Sequence, residues 1–149
     1  MSLTEDIDRD IKAAMLAREQ DKLTALRAVK AALLLARTEK GSGHELQADD
    51  EARILQKLIK QRQESADIYV QQNRGDLAEK EKFEANVIAA YLPEQLSEEE
   101  ISAKVQEIIT KTGANGMKDM GKVMGMASRE LAGKADNKIV AAVVKQLLS

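Results

Sequence analysis

One proline stands in the 149 residues of this chain, Pro93, and the pattern on either side of it divides the sequence. Proline has no amide hydrogen to donate and disfavours helical geometry in the residue before it, so a helix must end close to Tyr91. Past the proline, Ser97 offers an N-cap oxygen, and Glu100 follows three positions on. That spacing is a capping box, in which each side chain accepts the other residue's backbone amide. Glu98, Glu99 and Glu100 also set negative charge against the positive end of the helix dipole. One helix therefore stops and another starts within Tyr91-Leu92-Pro93-Glu94-Gln95-Leu96-Ser97. A plain helix–helix turn would satisfy this pattern, but composition changes across it, and the stretch reads as a domain junction.

The residues on both sides favour helix. Apolar positions are mostly Ala, Leu, Ile, Val and Met, and charged residues make up 32% of the chain, a mixture whose side chains lose little freedom in a helix. From the N-terminus, Ser2 and Glu5 form a first capping box before a stripe of Leu3, Ile7, Ile11, Ala14 and Met15. Asp21 caps a second helix with Leu23, Leu26, Ala28, Val29, Leu33 and Leu34 facing inward. Gly41-Ser42-Gly43-His44 is a loop. Asp49 and Asp50 open a third helix that buries Ile54, Leu55, Leu58, Ile59, Ala66 and Tyr69, with Gly75 as its stop. A fourth begins near Asp76. Leu77, Phe83, Val87, Ile88 and Tyr91 form its apolar side, and Glu79, Lys80, Glu81, Lys82 and Glu84 its solvated one. It reads as a connector docked at its C-terminal end.

Beyond the junction, Ile101, Val105, Ile108 and Ile109 mark a fifth helix, ended by Lys111-Thr112-Gly113. Met117, Met120, Met124, Ala127 and Leu131 form the packing stripe of a sixth, on which Gly121 and Gly125 admit a neighbouring backbone or leave a groove. Gly133 ends it. Asp136 caps a seventh helix that buries Ile139, Val140, Val143, Val144, Leu147 and Leu148. No stretch alternates as a strand does. The fold expected is all-α, with two small helical domains joined by a partly helical linker: residues 1–75, 76–96 and 97–149.

Several chemistries are excluded or unsupported. There is no cysteine, hence no disulfide and no thiolate metal site. The single histidine, His44, reads as a solvated loop residue, since histidine sites need a partner. There is no Gly-x-Ser-x-Gly turn and no phosphate-binding loop of the Walker type, since Gly121-Lys122 lacks the flanking residues. No catalytic residue, metal or cofactor is expected. The acidic start (Glu5, Asp6, Asp8, Asp10) does not resemble a secretory signal, and no apolar run approaches the ~20 residues that span a bilayer. A soluble cytoplasmic protein with no membrane partner is expected.

Charge distribution points to a partner. Residues 1–96 hold 15 basic and 18 acidic residues, whereas residues 101–149 hold 8 basic and 4 acidic. A basic face on a small helical domain can bind phosphates by releasing their counterions. Lys118, Lys122 and Arg129 flank the methionine stripe and must reach solvent if the methionines point inward. Lys134 and Lys138 straddle the Asp136 cap, where free helix amides add to phosphate binding. These five are the candidate nucleic-acid-binding residues.

Lys60-Gln61-Arg62, Asp76-Leu77-Ala78-Glu79-Lys80-Glu81, Tyr91-Leu92-Pro93, Met120-Gly121-Lys122-Val123-Met124 and Gly133-Lys134-Ala135-Asp136 resemble, in this order, the signature segments of the YqeY family. Arg74-Gly75-Asp76 departs locally, with glycine after the arginine. The C-terminal half of that family is similar to the tail domain of the B subunit of the glutamine-dependent tRNA amidotransferase, a carbon–nitrogen ligase with glutamine as amide donor. The resemblance implies three-helix N- and C-terminal domains and a link to tRNA. It implies no catalytic site, since the amidotransferase's chemistry lies outside its tail. Two readings follow: an accessory module that binds tRNA or joins an amidotransferase-like complex, and a protein–protein adaptor that receives a partner helix on its C-terminal domain.

Overall fold

The computed structural model describes residues 2–39, 41 and 45–149. Of the glycine-flanked loop only Gly41 is among them, and His44 lies outside the described residues. Among those residues the chain forms α-helices and a single 3-10 turn, with no strand: α1 (Leu3–Ala17), α2 (Gln20–Glu39), α3 (Ala48–Gln71), α4 (Gly75–Ala89), α5 (Glu98–Thr112), the 3-10 turn Met117–Asp119, α6 (Met120–Glu130) and α7 (Asn137–Leu148). The fold is all-α, as its periodicity dictates. Packing groups the helices into two units, Met1–Leu92 and Pro93–Ser149.

In the first unit Ile7 and Ala14 of α1 meet Leu23, Leu26, Val29 and Leu33 of α2, Leu55 of α3 and Ile88 of α4 in one core. Burial of each large aliphatic side chain there stabilises the fold by roughly 1.5–3 kcal/mol. Ser2 Oγ caps α1 by accepting the Glu5 amide at 3.2 Å. α3 and α4 form a helical hairpin around Gln72–Arg74. Asn73, with φ of 60°, turns the chain, and the Arg74 amide donates to Tyr69 O at 2.8 Å. The stop is therefore Asn73, whose short polar side chain tolerates the left-handed region, and Gly75 is the first residue of α4. The Arg74 guanidinium donates to both carboxylate oxygens of Asp76 at 3.1 Å, bridging the local Arg-Gly-Asp segment.

α4 buries Ala78, Glu84, Ala85 and Ile88, from its first turn to its last, packed along α3 and α2. Two side chains contradict the sequence expectation. Phe83 is 46% exposed, and Glu84 is 6% exposed. Arg62 and Glu84 stand eleven residues before and after Asn73, so an antiparallel hairpin sets them face to face. Arg62 Nε donates to Glu84 Oε1 at 3.4 Å and Arg62 Nη1 to Leu58 O at 3.1 Å. A carboxylate in the core requires a cation beside it, and the register of α3 on α4 supplies one. Met15 and Leu34, read as core, are about half exposed.

The second unit packs α5, α6 and α7 on each other around Ile101, Val105, Ile108, Val123, Ala127, Leu131, Val140, Val143, Val144 and Leu148. Its helix ends follow the sequence. Ser97 N donates to Glu100 Oε1 at 3.1 Å and Glu100 N to Ser97 Oγ at 3.2 Å, the reciprocal box. Gly113 ends α5 with φ of 68°. Asp136 Oδ1 accepts the Lys138 amide at 2.9 Å and caps α7. Ile139 and Leu147, expected in the core, are exposed. Among the described residues no helix is long and apolar enough to cross a membrane.

Candidate nucleic-acid interface

The phase of α6 decides which of its residues meet solvent. Val123 and Ala127 are fully buried, and Met120, Met124 and Met126 pack partly against the same core. At about 100° per residue, this turns Gly121, Lys122, Gly125 and Arg129 to the opposite side, and all four are exposed. Four residues of the expected stripe, Met120, Met124, Ala127 and Leu131, face the core, and Val123 joins them. Met117 is 44% exposed. The cause lies ahead of the helix. Gly116, with φ of 79°, and the turn Met117–Asp119 enter with 3-10 geometry, whose tighter winding breaks phase with the α-helix. Asp119 Oδ2 accepts the Asn115 amide at 2.8 Å and holds that entry. A side-chain carbon placed on Gly121 or Gly125 would meet nothing within 4 Å. These glycines admit no neighbouring backbone and form an open shelf.

Lys118, Lys122 and Arg129 are exposed, as the sequence requires, and so are Lys134 and Lys138. Ion pairing differs sharply between the units. In the first, Arg9, Lys22, Lys30, Arg62, Arg74, Lys80 and Lys82 each stand within 4.0 Å of a carboxylate. In the second, among the described residues, only Lys104 does, at 3.9 Å from Glu107. None of the five candidate cations is neutralised by a contact.

The five do not form one equivalent set. Lys122 and Arg129 share a face of α6, seven residues or roughly 10.5 Å of helix axis apart, and Lys118 precedes them in the 3-10 turn. Lys134 and Lys138 follow the helix on either side of Asp136. There the expectation of free amides fails, because the Asp136 carboxylate takes the Lys138 amide and places a negative charge at the helix start. Leu96 N donates to Lys134 O at 2.9 Å and Gln95 Nε2 to Gly133 O at 2.7 Å, bringing the segment that opens α5 against this turn. The acidic run Glu98–Glu100 follows immediately. Hydrogen bonds from Ser97 hold the Glu100 carboxyl below its ordinary range, keeping it ionised. Lys134 and Lys138 therefore flank a capping carboxylate, whereas Lys122 and Arg129 stand on the open face of α6.

In the first unit, a groove of about 410 Å³ runs between the start of α1, the later half of α2 and Leu46, with Lys30, Leu33, Leu34, Arg37 and Glu51 on its walls. Glu51 stands in the first turn of α3. Burial, and then the charge of Asp50, push its carboxyl up. Lys30 is committed to Asp8 at 2.7 Å. Among the described residues no group of three or more acidic or histidine side chains converges to hold a metal ion.

The model of Yqey-like proteins matches residues 4–148. The chain belongs to the YqeY family. Among curated proteins, this YqeY-family chain is similar to the Altered inheritance of mitochondria protein 41, mitochondrial, of several yeasts. It is 32% identical to that of Clavispora lusitaniae, over 76% of this chain and 66% of the yeast protein. It is 31% identical to that of Lachancea thermotolerans, over 71% and 57%, and 33% identical to that of Vanderwaltozyma polyspora, over 76% and 64%. The matched stretch thus spans 57–66% of those relatives' length. Their names correct the cytoplasmic expectation, for each is called mitochondrial. That expectation rested on the want of a secretory signal, which carries no information about other compartments.

Proposed function

We propose that this YqeY-family chain is an accessory RNA-binding module without an active site of its own, which holds tRNA phosphates on the solvent face of α6 and serves an amidotransferase-like complex. The observation that carries the reading is the set of unneutralised cations: Lys122 and Arg129 on a helix whose other side is locked into the core, and Lys118 in the 3-10 turn just before it. The resemblance of this half to the amidotransferase tail makes tRNA the ligand of choice. Phosphate binding needs such cations, and releases one condensed counterion's worth of salt dependence for each contact. Lys134 and Lys138 contribute less, because the Asp136 carboxylate caps α7 between them.

The test is tRNA binding by the full chain and by a Lys118→Gln/Lys122→Gln/Arg129→Gln variant across a salt series. The thermal melt of the variant should match the parent, since exposed substitutions change stability by about 0.5 kcal/mol or less each. Its affinity should fall, and the slope of log affinity on log salt should flatten by up to ~0.9 per lost contact if the DNA value carries over. Salt-insensitive binding by the parent, or equal binding by the variant, removes the reading.

One observation favours the adaptor alternative. The Gly121–Gly125 shelf is open, and a partner helix could approach it closely. Against that, the methionines that would grip such a helix, Met120, Met124 and Met126, are turned toward the core. Helix docking would change little with salt, so the same titration separates the two.

A further inference from the structure

We infer that the α6 face takes the backbone of a base-paired RNA segment and not unpaired bases; this rests on the RNA-binding reading above and deepens it. The first ground is what the second unit lacks. Every aromatic residue of the chain, Tyr69, Phe83 and Tyr91, precedes Pro93. Proteins that hold single strands draw about 1–3 kcal/mol per base from stacking on aromatic rings, and those that read loops stack splayed bases on aromatic or guanidinium planes. Here Arg129 is the one planar group in residues 93–149 available for that purpose. A flexible single strand bound on this unit would lose its freedom with almost no stacking in return.

The second ground is what the face presents. Lys122 and Arg129 stand on one rigid helix at a fixed spacing of two turns, with exposed Gly121 and Gly125 between and beside them. No carboxamide or carboxylate lies among these four to read a base edge. Cations anchored at a set spacing along one helix match phosphates that are already held in order, and a duplex holds them so. Recognition of paired RNA proceeds through shape, phosphates and 2′-hydroxyls across a shallow groove. The absence of side chains at the two glycines lets such a surface come down onto the helix between the cations.

The experiment titrates the full chain against a labelled RNA duplex of about 16 base pairs, the span of known duplex-binding domains, and against one of its strands alone, chosen not to pair with itself. The duplex should bind about tenfold tighter, with a steep loss from about 50 to about 200 mM salt. A Gly125→Leu variant keeps every charge, fills open space and replaces glycine by a better helix former. It should melt no lower than the parent and bind the duplex several-fold more weakly. Equal or tighter binding of the single strand overturns this inference and leaves the RNA reading standing. Parent-like duplex binding by Gly125→Leu also overturns it. Salt-insensitive binding of both RNAs removes the RNA reading itself.

Discussion

Glu84 shows how far one residue can depart from its local pattern. It lies in the run Glu79-Lys80-Glu81-Lys82-Phe83-Glu84, where alternating charge reads as solvated face, yet it is buried and Phe83 is not. The helix period explains the exchange. Glu84 falls with Ala85 and Ile88 on the side packed against α3, and Arg62 meets it there at 3.4 Å. Removing the carboxylate strands a guanidinium that is 15% exposed. Breaking a buried pair costs about 3–5 kcal/mol, and the retained bond to Leu58 O moves this case to the lower end. Glu84→Ala should therefore unfold in urea with a loss of about 3 kcal/mol, and Glu84→Ala/Arg62→Leu should lose less than Glu84→Ala alone. A Glu84→Ala midpoint equal to the parent's would show that the pair contributes nothing.

Among the elements, the ends of α1 and α4 depend on each other. Tyr91, just past α4, donates its hydroxyl to Asp10 Oδ2 on α1, closing the first unit between helices far apart in sequence. That bond holds the Asp10 carboxyl below its ordinary value, while burial and then the Asp10 bond push the Tyr91 hydroxyl up. Asp10 has the depressed pKa of a group that stabilises when ionised. Its contribution is present above its unfolded value near 4 and is lost as pH falls through the lower folded value. Tyr91 has a raised pKa, so its contribution is present below about 10 and is lost as pH rises beyond that. Tyr91→Phe should cost about 1 kcal/mol at neutral pH, toward the weak end for a charge-assisted bond at a partly exposed site. The gap from the parent should narrow below pH ~4. A gap that is constant down to pH ~2 would contradict the assignment.

Over the whole molecule, the second unit carries a core of its own, and its first residues belong to it. Gln95 and Leu96 donate to the carbonyls of Gly133 and Lys134, ahead of the Ser97 cap. A unit of this size is near the limit at which a core suffices, since domains of roughly 55–65 residues fold alone but marginally. The expected outcome is that a 93–149 fragment melts cooperatively, and that a 97–149 fragment is weaker by about 1–3 kcal/mol for the two lost bonds. A 93–149 fragment with no cooperative transition would show that the unit depends on the rest of the chain.

The sequence by itself determined what is local in the chain. Three-and-four spacing made every element a helix, and Ser2, Ser97, Gly113 and Asp136 act where they were read, because a cap acts over three or four residues. Other helix ends escaped that reading: Asp21, read as a cap, lies inside α2, which starts at Gln20, and Arg18 and Asn73 turn the chain with φ of 58° and 60° where no glycine marks the turn. Tertiary structure decided what depends on partners across space. It buried Glu84 beside Arg62, turned Met117 outward through the 3-10 entry, and set Val123 at the core of α6. It also sorted the five candidate cations, none of which contacts a carboxylate. Asp136 caps α7 between Lys134 and Lys138, while Lys122 and Arg129 share the solvent face of α6. Identity and spacing place a charge on a helix, but its opposition depends on which distant segment folds against it.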